Sequence, residues 1–292
     1  MSETIDMKPE SVVVGADASP GSEAAVEWAT RFATARRRPL TLVTATGDPG
    51  DSVEILGSTE AARVLLEKAG RASDHAAGVA ERLAPDLDVT VMTPLEDARQ
   101  ALIDLSDRAS IIVLGTRGRG PVRALVLGSV SVAVASHAEC PVAVVRPAER
   151  DGARERGHVV VGVDGSPAST AAVDFAFELA SVEGRELDVV HCWSSHDTFI
   201  DPVSYGQRLD HIDAHDRVLQ ESLAGYSEKY PDVVVHRHLP DTGPVAGLVE
   251  LSETASAIVV GSRGRTGPKS LIGSVSRSVI EHAHCTVVVV RP

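Results

Sequence analysis

The sequence predicts an α/β fold: two tandem domains, each a five-stranded parallel sheet of order 3-2-1-4-5 with helices on both faces. Three observations carry this. Short apolar runs alternate with segments of helical periodicity, as in successive β-α-β units. Hydrophobic residues make up 43% of the chain but aromatics only 3%, so the cores must be built from Val, Leu, Ile and Ala, which suits parallel sheets. The whole pattern also occurs twice. Asp17 and Asp164 are 147 positions apart, Gly115 and Gly261 are 146 apart, and Gly128 and Gly273 are 145 apart. An offset that drifts so little over half the chain marks an internal duplication. The domains are expected at 1–147 and 158–292, joined by a charged, glycine-bearing linker at 148–157.

The elements follow in order. The first ten residues read as a polar tail without the apolar centre of a signal peptide. Residues 11–17 form a short apolar strand ending in an acid, Asp17. Ser19-Pro20 is a helix start, serine as N-cap and proline at the first helical position. Ala24, Ala25, Trp28, Ala29 and Phe32 give that helix one apolar face. Arg36-Arg37-Arg38 closes it as a solvated last turn, favourable to the helix dipole. As a nucleic-acid patch this run is too short, in too acidic a chain. Strand two is 40–45, a polar loop 47–57, and a long helix 58–83 ending before Pro85. Strand three is 88–92, helix three 94–108, strand four 110–114, a short helix 129–137 and strand five 141–145. Val159 to Pro167 then repeats Val12 to Pro20.

Composition excludes several function classes. With 28 basic and 41 acidic side chains the net charge is −13, which disfavours nucleic acid and anionic membrane as general partners. An anionic ligand must therefore be held locally, by backbone N–H groups and a few arginines. No apolar run reaches the ~20 residues of a membrane span. Three cysteines, Cys140, Cys192 and Cys285, form no CxxC pair, which suits a reducing, cytoplasmic location. Cys140 and Cys285 occupy matching places before the fifth strands and read as buried filler.

The chemistry-bearing stretch is the loop after strand four. It runs from Gly115 through Gly120 to Gly128-Ser129-Val130-Ser131, and again from Gly261 through Gly267 to Gly273-Ser274-Val275-Ser276. A glycine loop between a strand and a helix lets bare backbone N–H groups close around phosphate. The bland alternative is a tight turn that needs glycine for its backbone angles. In a sheet of order 3-2-1-4-5 the ends of strands one and four adjoin at the switch point, where ligands bind. Asp17 and Asp164 would then each face a glycine loop across one cleft.

The Val-Gly-x-Asp-x-Ser opening and the Gly-x-x-Gly loop closed by Gly-Ser-Val-Ser make each half similar to a universal stress protein domain. The whole resembles the tandem type common in actinobacteria. The family's ATP-binding pattern has two residues between its first glycines and nine before the final Gly-Ser. Gly115, Gly118 and Gly128-Ser129 fit it. The second half has eight residues between Gly264 and Gly273, one fewer, so the first site is expected to be the more complete. The resemblance implies adenine near Val43 and near Val190, with Gly15, Ala16, Asp17 and Gly162, Val163, Asp164 bordering the nucleoside. It implies that Gly115, Thr116, Arg117, Gly118, Arg119, Gly120, Gly128, Ser129, Val130 and Ser131 wrap one set of phosphates. Gly261, Ser262, Arg263, Gly264, Arg265, Gly267, Gly273, Ser274, Val275 and Ser276 would wrap the other. Ser129 and Ser274 have a physical role of their own, since serine at a helix start offers hydroxyl and N–H groups to an anion. The implied ligand is ATP, with or without magnesium. The resemblance further implies that the domains pack as a pseudo-dimer, with the fifth strands (142–145 and 287–290) as the seam, and that whole chains form a homodimer.

Other signatures are absent. There is no GxxxxGK[ST], no GxGxxG after strand one and no GxSxG elbow. His211 and His215, four apart on a helix, are read as a polar exposed face before a metal pair. His236 and His238, on one face of a strand, are read the same way. His282 and His284 sit near the end of the last helix. No catalytic residue and no metal site is assigned. The sequence reads as a non-enzymatic ATP-binding stress protein. The alternatives are a slow nucleotide hydrolase or phosphotransferase with a divalent ion at Asp17 or Asp164, and a cyclic AMP binder. Phosphoryl-transfer enzymes usually bring a lysine, an acid pair and a positioned base to the phosphate. Only one acid per site is found here.

Overall fold

The computed structural model describes residues 7–47, 59–116, 127–147, 157–194, 205–264 and 272–292, with the side chains of 59–62 and 205–212 outside that description. The chain divides into two compact units, Met1–Pro147 and Ala148–Pro292. In the first unit, β1 (Val12–Gly15), α1 (Pro20–Arg36), β2 (Leu40–Val43), α2 (Thr59–Leu83) and β3 (Val89–Met92) are followed by α3 (Ala98–Leu105), β4 (Ile111–Gly115), α4 (Ser129–His137) and β5 (Val142–Val145). The strands lie in the order β3-β2-β1-β4-β5, all parallel.

The second unit contains β6 (Val159–Gly162), α5 (Pro167–Glu183), β7 (Leu187–Val190), α6 (Tyr205–Ser222), the single turn α7 (Tyr226–Lys229) and β8 (Val235–His238). It continues with α8 (Pro244–Leu251), β9 (Ala257–Gly261), α9 (Ser274–His282) and β10 (Thr286–Val290). Its order is β8-β7-β6-β9-β10, again parallel, so the expected 3-2-1-4-5 arrangement is present in both units.

The sheets are short runs of Val, Ile and Leu because both faces are covered, which removes any need for polar alternation. Val12, Val13, Val14, Ile111, Ile112 and Val113 are fully buried, as are Val159, Val161 and Val259. In the first unit α1 packs on β1 and β4 and against α2, while α3 packs on β1 and against α4. Cys140 and Cys285 are buried and form no disulfide among the described residues, as filler requires.

The helix that follows the first strand of each unit obeys the serine rule. Ser19 and Ser166 cap α1 and α5 through Oγ, each followed by proline. The helix expected at 94–108 is shorter, Ala98–Leu105. The carbonyl of Pro94 accepts from Thr46 N–H at 3.1 Å, which extends the β2–β3 ladder past the strands and holds Pro94 out of the helix. Asp97 then caps α3 through the N–H of Arg99 at 2.8 Å. The arginine run at the end of α1 is more than a solvated turn. Arg36 lies 4.6 Å over the Phe32 ring, and Arg38 pairs with Glu10. The linker segment 148–156 and residues 1–6 lie outside the described residues.

The duplication exposes two local costs. Arg37 ends α1 with φ 53°, and its twin Gly184 ends α5 with φ 62°. Ala18 has φ 57°, and its twin Gly165 has φ 74°. A left-handed residue with a Cβ costs ~1–2 kcal/mol, part of which glycine returns as chain entropy. Ala18→Gly and Arg37→Gly are each expected to stabilise the first unit by about 0.5–1 kcal/mol. Urea denaturation checks this, and unchanged or lowered midpoints for both variants would refute it.

Candidate functional site

Strand ends and helix starts converge at one edge of each sheet. The register Val14↔Val113 brings the end of β1 level with the end of β4, where the strand order reverses. Asp17 leaves β1 in a local turn: its Oδ1 accepts from Ser19 N–H at 2.9 Å, and its own N–H donates to Ser22 Oγ at 3.0 Å. Asp164 repeats the first bond with Ser166 at 3.0 Å.

The glycines at the ends of β4 and β9 are required for space. A Cβ on Gly115 would stand 2.5 Å from the backbone carbon and oxygen of Gly21, in the first turn of α1. On Gly261 it would stand 2.7 Å from the backbone carbon of Ala168 in α5. None of Gly115, Gly128, Gly261, Gly264 and Gly273 has a positive φ. The turn-angle reading therefore fails for these five, and close backbone approach replaces it at Gly115 and Gly261.

Each loop is clasped at its base. Gly128 N–H donates to the Thr116 carbonyl at 2.8 Å, and Gly273 N–H to the Ser262 carbonyl at 2.7 Å. The missing residue of the second loop leaves this clasp intact. Ser131 Oγ donates to the Gly115 carbonyl at 2.8 Å, and Ser276 Oγ to the Gly261 carbonyl at 2.6 Å. These two serines are buried braces, whereas Ser129 and Ser274 are exposed at the first helical position.

Gly128 and Gly273 are the N-caps and carry no side chain to cap with. The first i−4 bonds of α4 and α9 start at Val132 and Arg277. The N–H groups of Ser129, Val130 and Ser131, and of Ser274, Val275 and Ser276, therefore have no intrahelical carbonyl. They present three aligned donors at the positive end of a helix.

In the second unit the acid and the loop meet. Ser166 Oγ donates to the Arg263 carbonyl at 3.4 Å, and Asp164 Oδ2 lies 2.8 Å from where a Cβ on Gly264 would sit. Arg117, Gly118, Arg119, Gly120, Arg265 and Gly267 lie outside the described residues. Val43 and Val190 are buried at the ends of the second strands. Ala16 and Val163 continue the ladder by donating to their carbonyls at 2.8 and 2.9 Å. Gly15 and Gly162 sit against Leu114 and Leu248.

The two units differ where adenine is expected. In the first, Thr44 follows Val43, and its buried hydroxyl has no partner among the described residues. A cavity of about 350 Å³ opens beside Ala18, lined by Lys68, Arg71 and Ala72 of α2. These two cations escaped sequence reasoning because nothing local ties α2 to the switch point. In the second unit His191 takes the place of Thr44. Its Nδ1 donates to the Val163 carbonyl at 2.7 Å, which leaves Nε2 to accept from His215 Nδ1 at 2.9 Å. His215 also lies 5.4 Å from the Trp193 ring. The reading of His215 as part of an exposed helix face is thus corrected: the ring turns inward to pair with His191. Cys192, next in the chain, packs against Gly247, and burial pushes its thiol up to about 11. His236 and His238, read as a polar exposed face, have side chains 43% and 42% exposed, and both imidazoles also engage carboxylates, Glu186 at 2.5 Å and Asp188 at 3.0 Å.

A parallel sheet with an acid, a space-limited glycine and an uncapped helix start at its switch point defines a doubly wound α/β class. The universal stress protein family matches residues 9–146 and again 155–291. The chain belongs to that family. It is 36% identical over 293 residues to a universal stress protein of Mycolicibacterium smegmatis, covering 96% of this chain and 97% of that one. It is 36% identical over 298 residues to one of Mycobacterium tuberculosis, covering 97% and 98%. The crystal structure of a universal stress protein from Archaeoglobus fulgidus shares the fold, with a TM-score of 0.69 at 22% identity over 98% of this chain and 99% of that one. Among the described residues no helix is long and apolar enough to cross a membrane.

Gly115→Ala is expected to cost roughly 2–3 kcal/mol of stability, since only backbone can yield to the new methyl. Ser131→Ala should cost about 1 kcal/mol, the worth of one buried hydrogen bond. Chemical denaturation of the two variants checks both, and equal effects would contradict the space argument.

Proposed function

We propose that this protein binds adenine nucleotide, ATP foremost, at the switch points of its sheets and acts as a non-enzymatic regulator in the cytoplasm. The observation that carries the reading is the trio of N–H groups at the start of α4, at the switch point where Asp17 leaves β1. The residues suit the ligand. A phosphate accepts from the helix start, and the exposed Ser129 hydroxyl adds a donor. Lys68 and Arg71 bring positive charge to a chain of net charge −13.

The first unit is the better site in this reading. Its cavity is lined by cations, whereas the second unit fills the matching region with His191, His215 and Trp193. Binding is favoured over hydrolysis. One carboxylate serves each site, and Asp17 and Asp164 already accept from their own turns. Magnesium would then arrive with the nucleotide. Three cysteines without a disulfide among the described residues agree with a reducing compartment. Domain pairing and a homodimer belong to the same proposal, and a monomer mass by light scattering would remove the homodimer.

The test is nucleotide release from the purified protein, read by mass spectrometry, followed by calorimetric titration with ATP. Intact ATP is expected, without steady turnover. A Lys68→Ala/Arg71→Ala double variant should weaken ATP roughly tenfold or more. No binding, or ADP accumulating at a steady rate, would overturn the reading.

A further inference from the structure

The second sheet carries a second constellation, which begins at the amino ends of its strands. His158 precedes β6, Glu186 precedes β7, Asp188 lies within β7, and His236 and His238 lie on β8. The register Val160↔Asp188↔His236 and Gly162↔Val190↔His238, with side chains alternating along each strand, puts all five on one face. Asp188 is the most enclosed, its side chain 15% exposed, and both its oxygens are engaged. Oδ2 lies 3.2 Å from His158 Nδ1, and Oδ1 lies 3.0 Å from His238 Nε2. Glu186 Oε2 lies 2.5 Å from His236 Nε2 and 3.6 Å from His158 Nε2. The rings of His158 and His236 stack 5.4 Å apart at 14°.

The duplication supplies the comparison. By register the matching residues of the first unit are Ser11 for His158, Pro39 for Glu186, Thr41 for Asp188, Thr90 for His236 and Met92 for His238. None of those five is an imidazole or a carboxylate. The fold therefore does not require ionisable groups here, yet the second unit holds three imidazoles and two carboxylates at the same places. Fully protonated, the stacked His158 and His236 would be two like charges in contact. Neutral, they offer nitrogen lone pairs toward a shared point.

We propose that His158, Asp188 and His236 bind a divalent transition-metal ion of the zinc class. One ligand atom from each lies within 4.8 Å of the others. Donors around tetrahedral zinc sit about 2.0–2.1 Å from the metal and so about 3.3 Å from one another. The 3.2 Å His158–Asp188 spacing already meets that, and the widest gap closes by side-chain rotation. Two imidazoles with a carboxylate suit zinc, cobalt or nickel and not calcium or magnesium, which take oxygen ligands. Glu186 and His238 each touch a ligand and orient it. A bound ion would tie β6, β7 and the edge strand β8 together at the end of the sheet away from the nucleotide.

The test uses the full chain after chelator treatment, titrated with Zn²⁺ by calorimetry and with Co²⁺ by visible absorption. One equivalent is expected at micromolar or tighter affinity, with the intense absorption of four-coordinate cobalt. His236→Gln and Asp188→Asn should each weaken binding by roughly thirtyfold or more. His215→Ala, at the other end of the sheet, should leave it unchanged. Zinc should raise the melting temperature of the wild type but not of His236→Gln. Should Asp188→Asn unfold by circular dichroism, His158→Gln replaces it, because that ring is 41% exposed and outside the core. Millimolar binding, undiminished affinity in His236→Gln, or loss in His215→Ala instead would overturn the proposal.

Discussion

Everything at the switch point depends on backbone meeting backbone. The end of β4 approaches the first turn of α1 so closely that even a methyl on Gly115 would overlap Gly21. The same contact recurs between Gly261 and Ala168. Because the strand end and the helix start touch, the aspartate that links β1 to α1 must emerge beside the loop that leaves β4. Ser131 and Ser276 then tie the next helix back to those same glycines. One steric constraint thus brings the acid, the loop and an uncapped helix start into one place.

Around this shared frame the two units have diverged in chemistry. The first keeps small polar residues at the end of its second strand and places two cations of α2 beside the cleft. The second spends the same position on His191, held by a strand carbonyl and by His215. At the far end the contrast reverses in kind, with neutral residues in the first unit and an imidazole–carboxylate cluster in the second. The duplication thus shows which features the fold needs, because both copies keep them, and which are additions of one copy. The paired Ser19 and Ser166 caps belong to the first group, and His158, Asp188 and His236 to the second.

Much of this was legible in the sequence. Buried strands read as apolar runs because both faces of a parallel sheet are covered. Helix starts read as Ser-Pro because the orphan N–H groups need a local acceptor. Family membership was legible from the Gly-x-x-Gly and Gly-Ser-Val-Ser spacing. The start of helix three was misjudged because Pro94 is drawn into the β2–β3 ladder by Thr46, a partner 48 positions away. The need for glycine at 115 was read as possible turn chemistry when the cause is a helix far off in sequence. Lys68, Arg71, His191 and the pairing of His215 were not visible at all.

The sequence by itself determined the repeat, the strand and helix types, the capped helix starts and the glycine positions at which each loop leaves its strand and enters its helix. Each of these rests on interactions within a few residues, or on a periodicity that neighbouring residues display together. Only the tertiary structure decided which side chains meet. Asp164 faces Gly264 across a hundred residues, and His158, Asp188 and His236 come from three separate strand segments. Such meetings depend on strand order and register, which arise from packing the whole sheet and leave no mark on any single stretch of chain.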